Sequence, residues 1–191
     1  MLKRLCRLSG FILVLATSGC FLFGTYPTTW EARYKKALDE LSAAQNDIGR
    51  FFALDDAAKA AFEVGKIEEA QAHAQEALDL ASRFREDWNY GNAVHDGHMV
   101  LGRIYLRNGD VEIAKRELVE AGRTPGSPQL NSFGPNMSLA RDLLERKEID
   151  AVVTYFELCA KFWKLDRGNL QRWSALAKAG EIPDFGANLF Y

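Results

Sequence analysis

Cysteine is scarce in this chain, with three in 191 residues, and histidine is as rare. So few cysteines exclude a disulfide scaffold. There is no Cys-x-x-Cys pair, no His-Glu-x-x-His, no glycine-rich phosphate loop and no nucleophile elbow, so no catalytic signature is present. No apolar stretch reaches the ~20 residues of a membrane-spanning helix. Long basic runs are missing as well. Setting aside Lys3, Arg4 and Arg7 leaves 21 basic against 26 acidic residues, a charge of −5. That balance excludes nucleic acid as an expected partner. From Trp30 onward no strand-like alternation occurs, which leaves an all-α chain.

What is present begins with an export pattern. Lys3, Arg4 and Arg7 give a basic start, Leu8 to Ala16 an apolar stretch, and Thr17-Ser18-Gly19 a small-residue end before Cys20. Residues 1–19 thus read as a signal peptide. The small residues before Cys20 resemble a bacterial lipobox. That resemblance implies an acylated Cys20 as the mature N-terminus and a lipid anchor in the cell envelope. Phe21 after the cysteine, where bacterial sorting signals carry Asp for retention, implies the outer membrane facing the periplasm. An ordinary cleaved signal and an uncleaved anchor are the alternatives. Residues 20–29, with Pro27, read as a lipidated tether. Cys159 is left as a single thiol and reads as a small buried hydrophobe.

Residues 30–191 form one predicted helical domain, long enough to need no metal or disulfide. The periodicity predicts a helix from Trp30 to Asp47, broken by Gly49, and a last helix from Asn169 to Ala179, ended by Gly180. The apolar tail, Ile182 to Tyr191, is expected to pack back on the domain. Between them lies an internal repeat. With Gly65, Gly109 and Lys147 as turn positions, Ala70, Ala114 and Val152 fall five residues later, and Ala77, Ala121 and Cys159 twelve later. Ala58, Gly102 and Ala140 fall seven earlier. Small residues at matched offsets are what closely crossing helices require. The pattern resembles a tetratricopeptide repeat (TPR) over roughly residues 51–163, and implies a TPR-like solenoid of about three helix pairs plus N- and C-terminal helices.

The resemblance also implies a concave groove, lined by the first helix of each pair, that holds a partner peptide or protein. Lys59, Arg103 and Arg141 stand six residues before the three turns and would stack into one basic column. Such a column suits carboxylates; alternatively these residues pair with Asp55, Glu63 and Glu145. The connections are longer than in a simple array. Residues 86–96 present Trp88, Tyr90 and Asn92, and residues 124–136 present Asn131 and Asn136. Long ordered connections are often binding elements; bracing the fold is the other role open to them. His95 and His98, three apart, could share a metal, but no third ligand is evident and none is expected. The expected function is a non-catalytic, membrane-anchored interaction scaffold without cofactors. The alternative is an envelope enzyme with its site in residues 86–98 and 124–136.

Overall fold

The computed structural model describes residues 29–190. The export signal, Cys20, the tether up to residue 28 and Tyr191 lie outside the described residues. Among those described, the chain is all-helical: α1 (Trp30–Ala43), α2 (Asp47–Glu63), α3 (Ile67–Ala81), α4 (Tyr90–Arg107), α5 (Val111–Gly122), α6 (Pro128–Phe133), α7 (Ser138–Glu145), α8 (Ile149–Cys159) and α9 (Asn169–Lys178). A 3-10 turn, Gly186–Leu189, follows.

Three hairpins, α2–α3, α4–α5 and α7–α8, are joined by turns of one design. Gly65, Gly109 and Lys147 all have left-handed backbones, with φ of 79°, 92° and 66°. In each, the next residue's N–H reaches back to the last turn of the first helix: Lys66 to Ala61, Asp110 to Tyr105 and Glu148 to Leu143, at 2.8, 2.9 and 3.0 Å. This closes the helix ends with the bonds of a Schellman motif. A left-handed lysine costs roughly 1–2 kcal/mol. Replacing it with glycine returns part of that as chain entropy. Lys147→Gly should therefore stabilise the domain by up to about 1 kcal/mol, read as a higher urea midpoint with an unchanged slope.

The small residues sit where the hairpins touch. Ala70, Ala114 and Val152 are fully buried, as are Ala77, Ala121 and Cys159. At Gly102 a Cβ would lie 2.3 Å from Leu139 Cδ2, so a side chain there would have to displace the Leu139 side chain. Burial pushes the Cys159 thiol far above its ordinary range, which keeps it protonated and inert. Larger residues concentrate at the C-terminal end, where Tyr155, Phe156, Trp163, Trp173 and Phe185 form the main core.

Three boundaries differ from the sequence expectation. α1 ends at Ala43, and Gly49 lies in the first turn of α2 rather than breaking a helix. The cause is Asn46, whose side chain accepts the Gly49 N–H at 2.9 Å and starts the new helix. The first long connection is shorter than read, because α4 begins at Tyr90; Tyr90, Asn92 and His95 are helical. The second connection contains α6, capped by the Ser127 hydroxyl and begun by Pro128. The tail packs back in part: Phe185 is buried and Leu189 packs against the core, while Ile182 and Phe190 are exposed.

Candidate functional site

Charged side chains of α2 and α4 meet on one shared side of the two helices. On α2, Asp55 and Lys59 stand one turn apart on the same face. On α4, Asp96 lies two turns before Arg103, so both project to the same side. The Lys59 ammonium joins the two helices: it is 3.0 Å from Asp96 Oδ2, 3.2 Å from Asp55 Oδ2 and 3.5 Å from Asp56 Oδ1. Behind it, Asp96 Oδ1 is 2.5 Å from Nδ1 of the fully buried His95. His95 Nε2 is 3.0 Å from the Tyr155 hydroxyl, which donates to the Asn136 carbonyl at 2.8 Å. A continuous polar chain thus runs from Lys59 into the core.

The two carboxyl groups are driven apart in acidity. Burial, and then the adjacent Asp96 charge, push Asp55 well above the usual carboxylate range. Burial would raise Asp96 too, but the Lys59 ammonium and the His95 hydrogen bond hold it far below that range. Burial likewise works against the Lys59 charge, and its carboxylate neighbours outweigh that and hold its pKa up. Asp55 therefore keeps its proton to higher pH than its neighbour. A raised folded pKa contributes stability below the unfolded value and withdraws it as pH climbs through the folded one. Asp55→Asn, which keeps the neutral shape, should match the parent at about pH 4, near the ordinary aspartate pKa. It should be the more stable protein at pH 8. Thermal unfolding across that range reads the crossover.

These groups floor a cleft of about 680 Å³. α1 contributes Trp30, Arg33 and Lys36; α4 contributes Asn92 and Asp96; α6 contributes Gln129, Leu130 and Phe133; the tail contributes Ala187 and Phe190. It adjoins a recess of about 30 Å³ that reaches Arg103 and Asn136. The tail closes the far side. Asn188 accepts the Met137 N–H at 2.7 Å through its carbonyl, and its side-chain amide donates to the Phe133 and Pro135 carbonyls at 3.2 and 2.9 Å.

The residues singled out from sequence fall in different places. Lys59 and Asn92 line the cleft, and Arg103 and Asn136 its recess. Each member of the basic column is met by carboxylates: Lys59 as above, Arg103 by Glu63 at 2.5 Å and Asp142 at 3.4 Å, Arg141 by Asp142 at 3.0 Å and Glu145 at 3.7 Å. Arg103 also lies over the Phe62 ring, 4.3 Å from its centroid. Asn131 accepts the Lys164 N–H at 3.0 Å. Trp88 is half exposed, 5.4 Å centroid to centroid from Phe52, and Tyr90 is partly buried beside Phe51 and Ala93. Neither lines the cleft, and neither does Arg141 or Asn131. His98 hydrogen-bonds Glu117 at 2.7 Å and turns away from His95's partners. Among the described residues no group of three or more His, Cys, Asp or Glu is arranged to hold a metal.

The second connection is seated on the start of α4. Thr124 donates to the Gly91 carbonyl at 2.7 Å, and Ser127 donates to Asn92 Oδ1 at 2.5 Å. Sequence reasoning missed Asp96, Trp30, Phe133 and Phe190. Only Asp96 carried a signal, through its heptad offset from Arg103 on the same stripe. Comparison with protein-family models, with curated proteins and with solved structures finds no match for this chain.

Proposed function

We propose that this chain is a non-catalytic binding scaffold of the bacterial cell envelope. It is a TPR-like stack of three helix pairs, tethered by a lipid on Cys20 and docking its partner in the cleft between α1, α2, α4 and α6. The observation that carries this reading is the convergence of four separate chain segments and the tail on one 680 Å³ cleft, a size that suits a bound ligand. The matched hairpin turns and the fully buried small residues support the repeat architecture. No helix among the described residues is long and apolar enough to cross a membrane.

Affinity purification of the full chain from native envelopes tests the cleft. Phe133→Arg, at an exposed rim position, should lose the partner, and Trp88→Arg, outside the cleft, should keep it. Recovery of the partner by Phe133→Arg overturns the cleft as docking site. For the anchor, Cys20→Ser should move the protein to the soluble fraction; failure of labelled palmitate to enter the parent chain overturns it.

An envelope hydrolase is the second reading. It is favoured by a carboxyl group of raised pKa beside a carboxylate of lowered pKa, in a cleft lined from residues 86–98 and 124–136. The two groups share one ammonium, however, and stand too close together to flank a scissile bond with a water between them.

A further inference from the structure

We propose that the cleft receives a single primary ammonium group from its ligand, seated on Asp55 and Asp56; this rests on the cleft being the docking site. The count of charges is the first argument. On α1, Lys36 is matched by Glu40 at 2.6 Å, and Arg33 is drawn over the Trp30 ring, 4.7 Å from its centroid. On the floor, the Lys59 ammonium faces three carboxyl groups: Asp96 at 3.0 Å, Asp55 at 3.2 Å and Asp56 at 3.5 Å. One cation does not balance three carboxylates where water screens weakly. In the free protein a proton retained by Asp55 makes up part of the difference. Asp56 is half exposed and has the longest of the three contacts.

The second argument is an oxygen without a partner. Asp55 lines the cleft, its side chain only 13% exposed. Its Oδ2 accepts from the Lys59 ammonium, while its Oδ1 is buried and has no hydrogen-bond partner. A buried polar atom left unbonded is costly, and a donor brought by the ligand removes that cost. The terminal torsion of a carboxyl group is soft, so Oδ1 can turn to meet a donor placed in the cleft.

The two arguments together select the donor. Among the described residues these carboxyls are not arranged to hold a metal ion, so the cation is organic. With Oδ2 committed to Lys59, Asp55 has no pair of oxygens for a guanidinium fork, whereas an ammonium is a point charge with three donors. A neutral donor would satisfy Oδ1 and leave the charge uncorrected. An ammonium does both. Its arrival displaces the Asp55 proton: the ligand N–H donates to the Asp55 carboxylate, and the released proton goes to solvent. Affinity therefore rises with pH as the free protein loses the competing proton. The charged and titratable groups around Asp55 are Asp56 and Lys59 on α2, Asp96 on α4 with His95 behind it, and Arg33, Lys36 and Glu40 on α1; α6 brings the uncharged Gln129.

Calorimetric titration of the full chain tests this with the capped peptide acetyl-Ala-Lys-Ala-amide, the same peptide acetylated on its lysine nitrogen, acetyl-Ala-Arg-Ala-amide, and 1,5-diaminopentane. The lysine peptide or the diamine should bind at about millimolar concentration or below. Binding of the peptide assigns the ammonium to a side chain of the partner, and binding of the diamine alone assigns it to a free amine. Titrations in buffers of different ionisation enthalpy should register protons released to solvent, and affinity should climb between about pH 5 and about pH 8. Asp56→Asn should weaken binding by roughly threefold or more. Asp55→Asn should weaken it by roughly tenfold or more and abolish both the proton release and the pH dependence. Trp88→Ala should leave binding unchanged. Because Asp55→Asn touches a buried network, helical circular dichroism is recorded beside it, and the half-exposed Asp56→Asn decides if Asp55→Asn unfolds. Binding of no probe, equal binding of the acetylated peptide, equal or tighter binding of the arginine peptide, or binding without proton release overturns the proposal. If Phe133→Arg loses its envelope partner while no probe binds, the ligand class falls and the docking site stands.

Discussion

Gly91→Ala should unfold this domain or come close to it, by about 3 kcal/mol or more. At Gly91 a Cβ would meet the Gly126 carbonyl oxygen at 1.9 Å and its carbon at 2.4 Å. Overpacking a core costs about 1–3 kcal/mol when side chains can give. Here the obstacle is backbone, and it is pinned on both sides. Thr124 is bonded to the Gly91 carbonyl, and Gly126 has a left-handed φ of 87° with its own missing Cβ facing Phe162. Neither strand of chain can retreat without breaking those contacts. A domain this size has only about 5–15 kcal/mol of stability to lose. A midpoint in urea within experimental error of the parent would show that the two segments are not locked together. Gly65→Ala makes a useful contrast. It meets nothing within 4 Å, and its cost is that of a left-handed alanine alone.

The second large effect is expected at Lys59. Lys59→Met keeps the volume of the stem and removes the charge. It leaves Asp96 facing Asp55 and Asp56 with no cation between them. Breaking a buried ion pair from one side costs about 3–5 kcal/mol, because the orphaned charge remains. Lys59 and Asp96 are only 22% and 14% exposed, so water offers little relief. Adding Asp96→Asn to Lys59→Met should recover more than half of the loss, a coupling that a double-mutant cycle measures directly. The single variant should also suffer most above the pH at which Asp96 ionises and recover in acid. Additive losses across the cycle would show that the ammonium and the carboxylate do not sense one another.

Much of this architecture can be read from the chain, because its signals are local. A glycine after a helix and small residues at fixed offsets are enough to mark the hairpins, and the offsets identify Lys147 as a turn residue before any φ is known. Gly49 and Gly91 mislead for one shared reason. Glycine at a helix start reads as a break, yet Gly49 follows a capping asparagine and Gly91 is where another backbone crosses. The cleft is harder to read. Lys59 can be placed on the inner face by register, but the carboxylates that neutralise it come from α2 and α4 together. Trp30, Phe133 and Phe190 share no sequence relation at all. They meet only because α6 and the tail fold over the ends of α2 and α4, and that depends on Asn188 bonding to the backbone around Pro135.

The carboxylates between the hairpins have a mechanical effect as well. Asp96 reaches from α4 to α2, Glu63 from α2 to α4, and Asp142 from α7 to α4. Successive hairpins are thereby riveted to one another by side chains. Movement of α2, α4 and α7 past one another must then break one of these ion pairs or pivot about it. Raised ionic strength should loosen the rivets nearest solvent first, leaving the Lys59 tie as the last to yield.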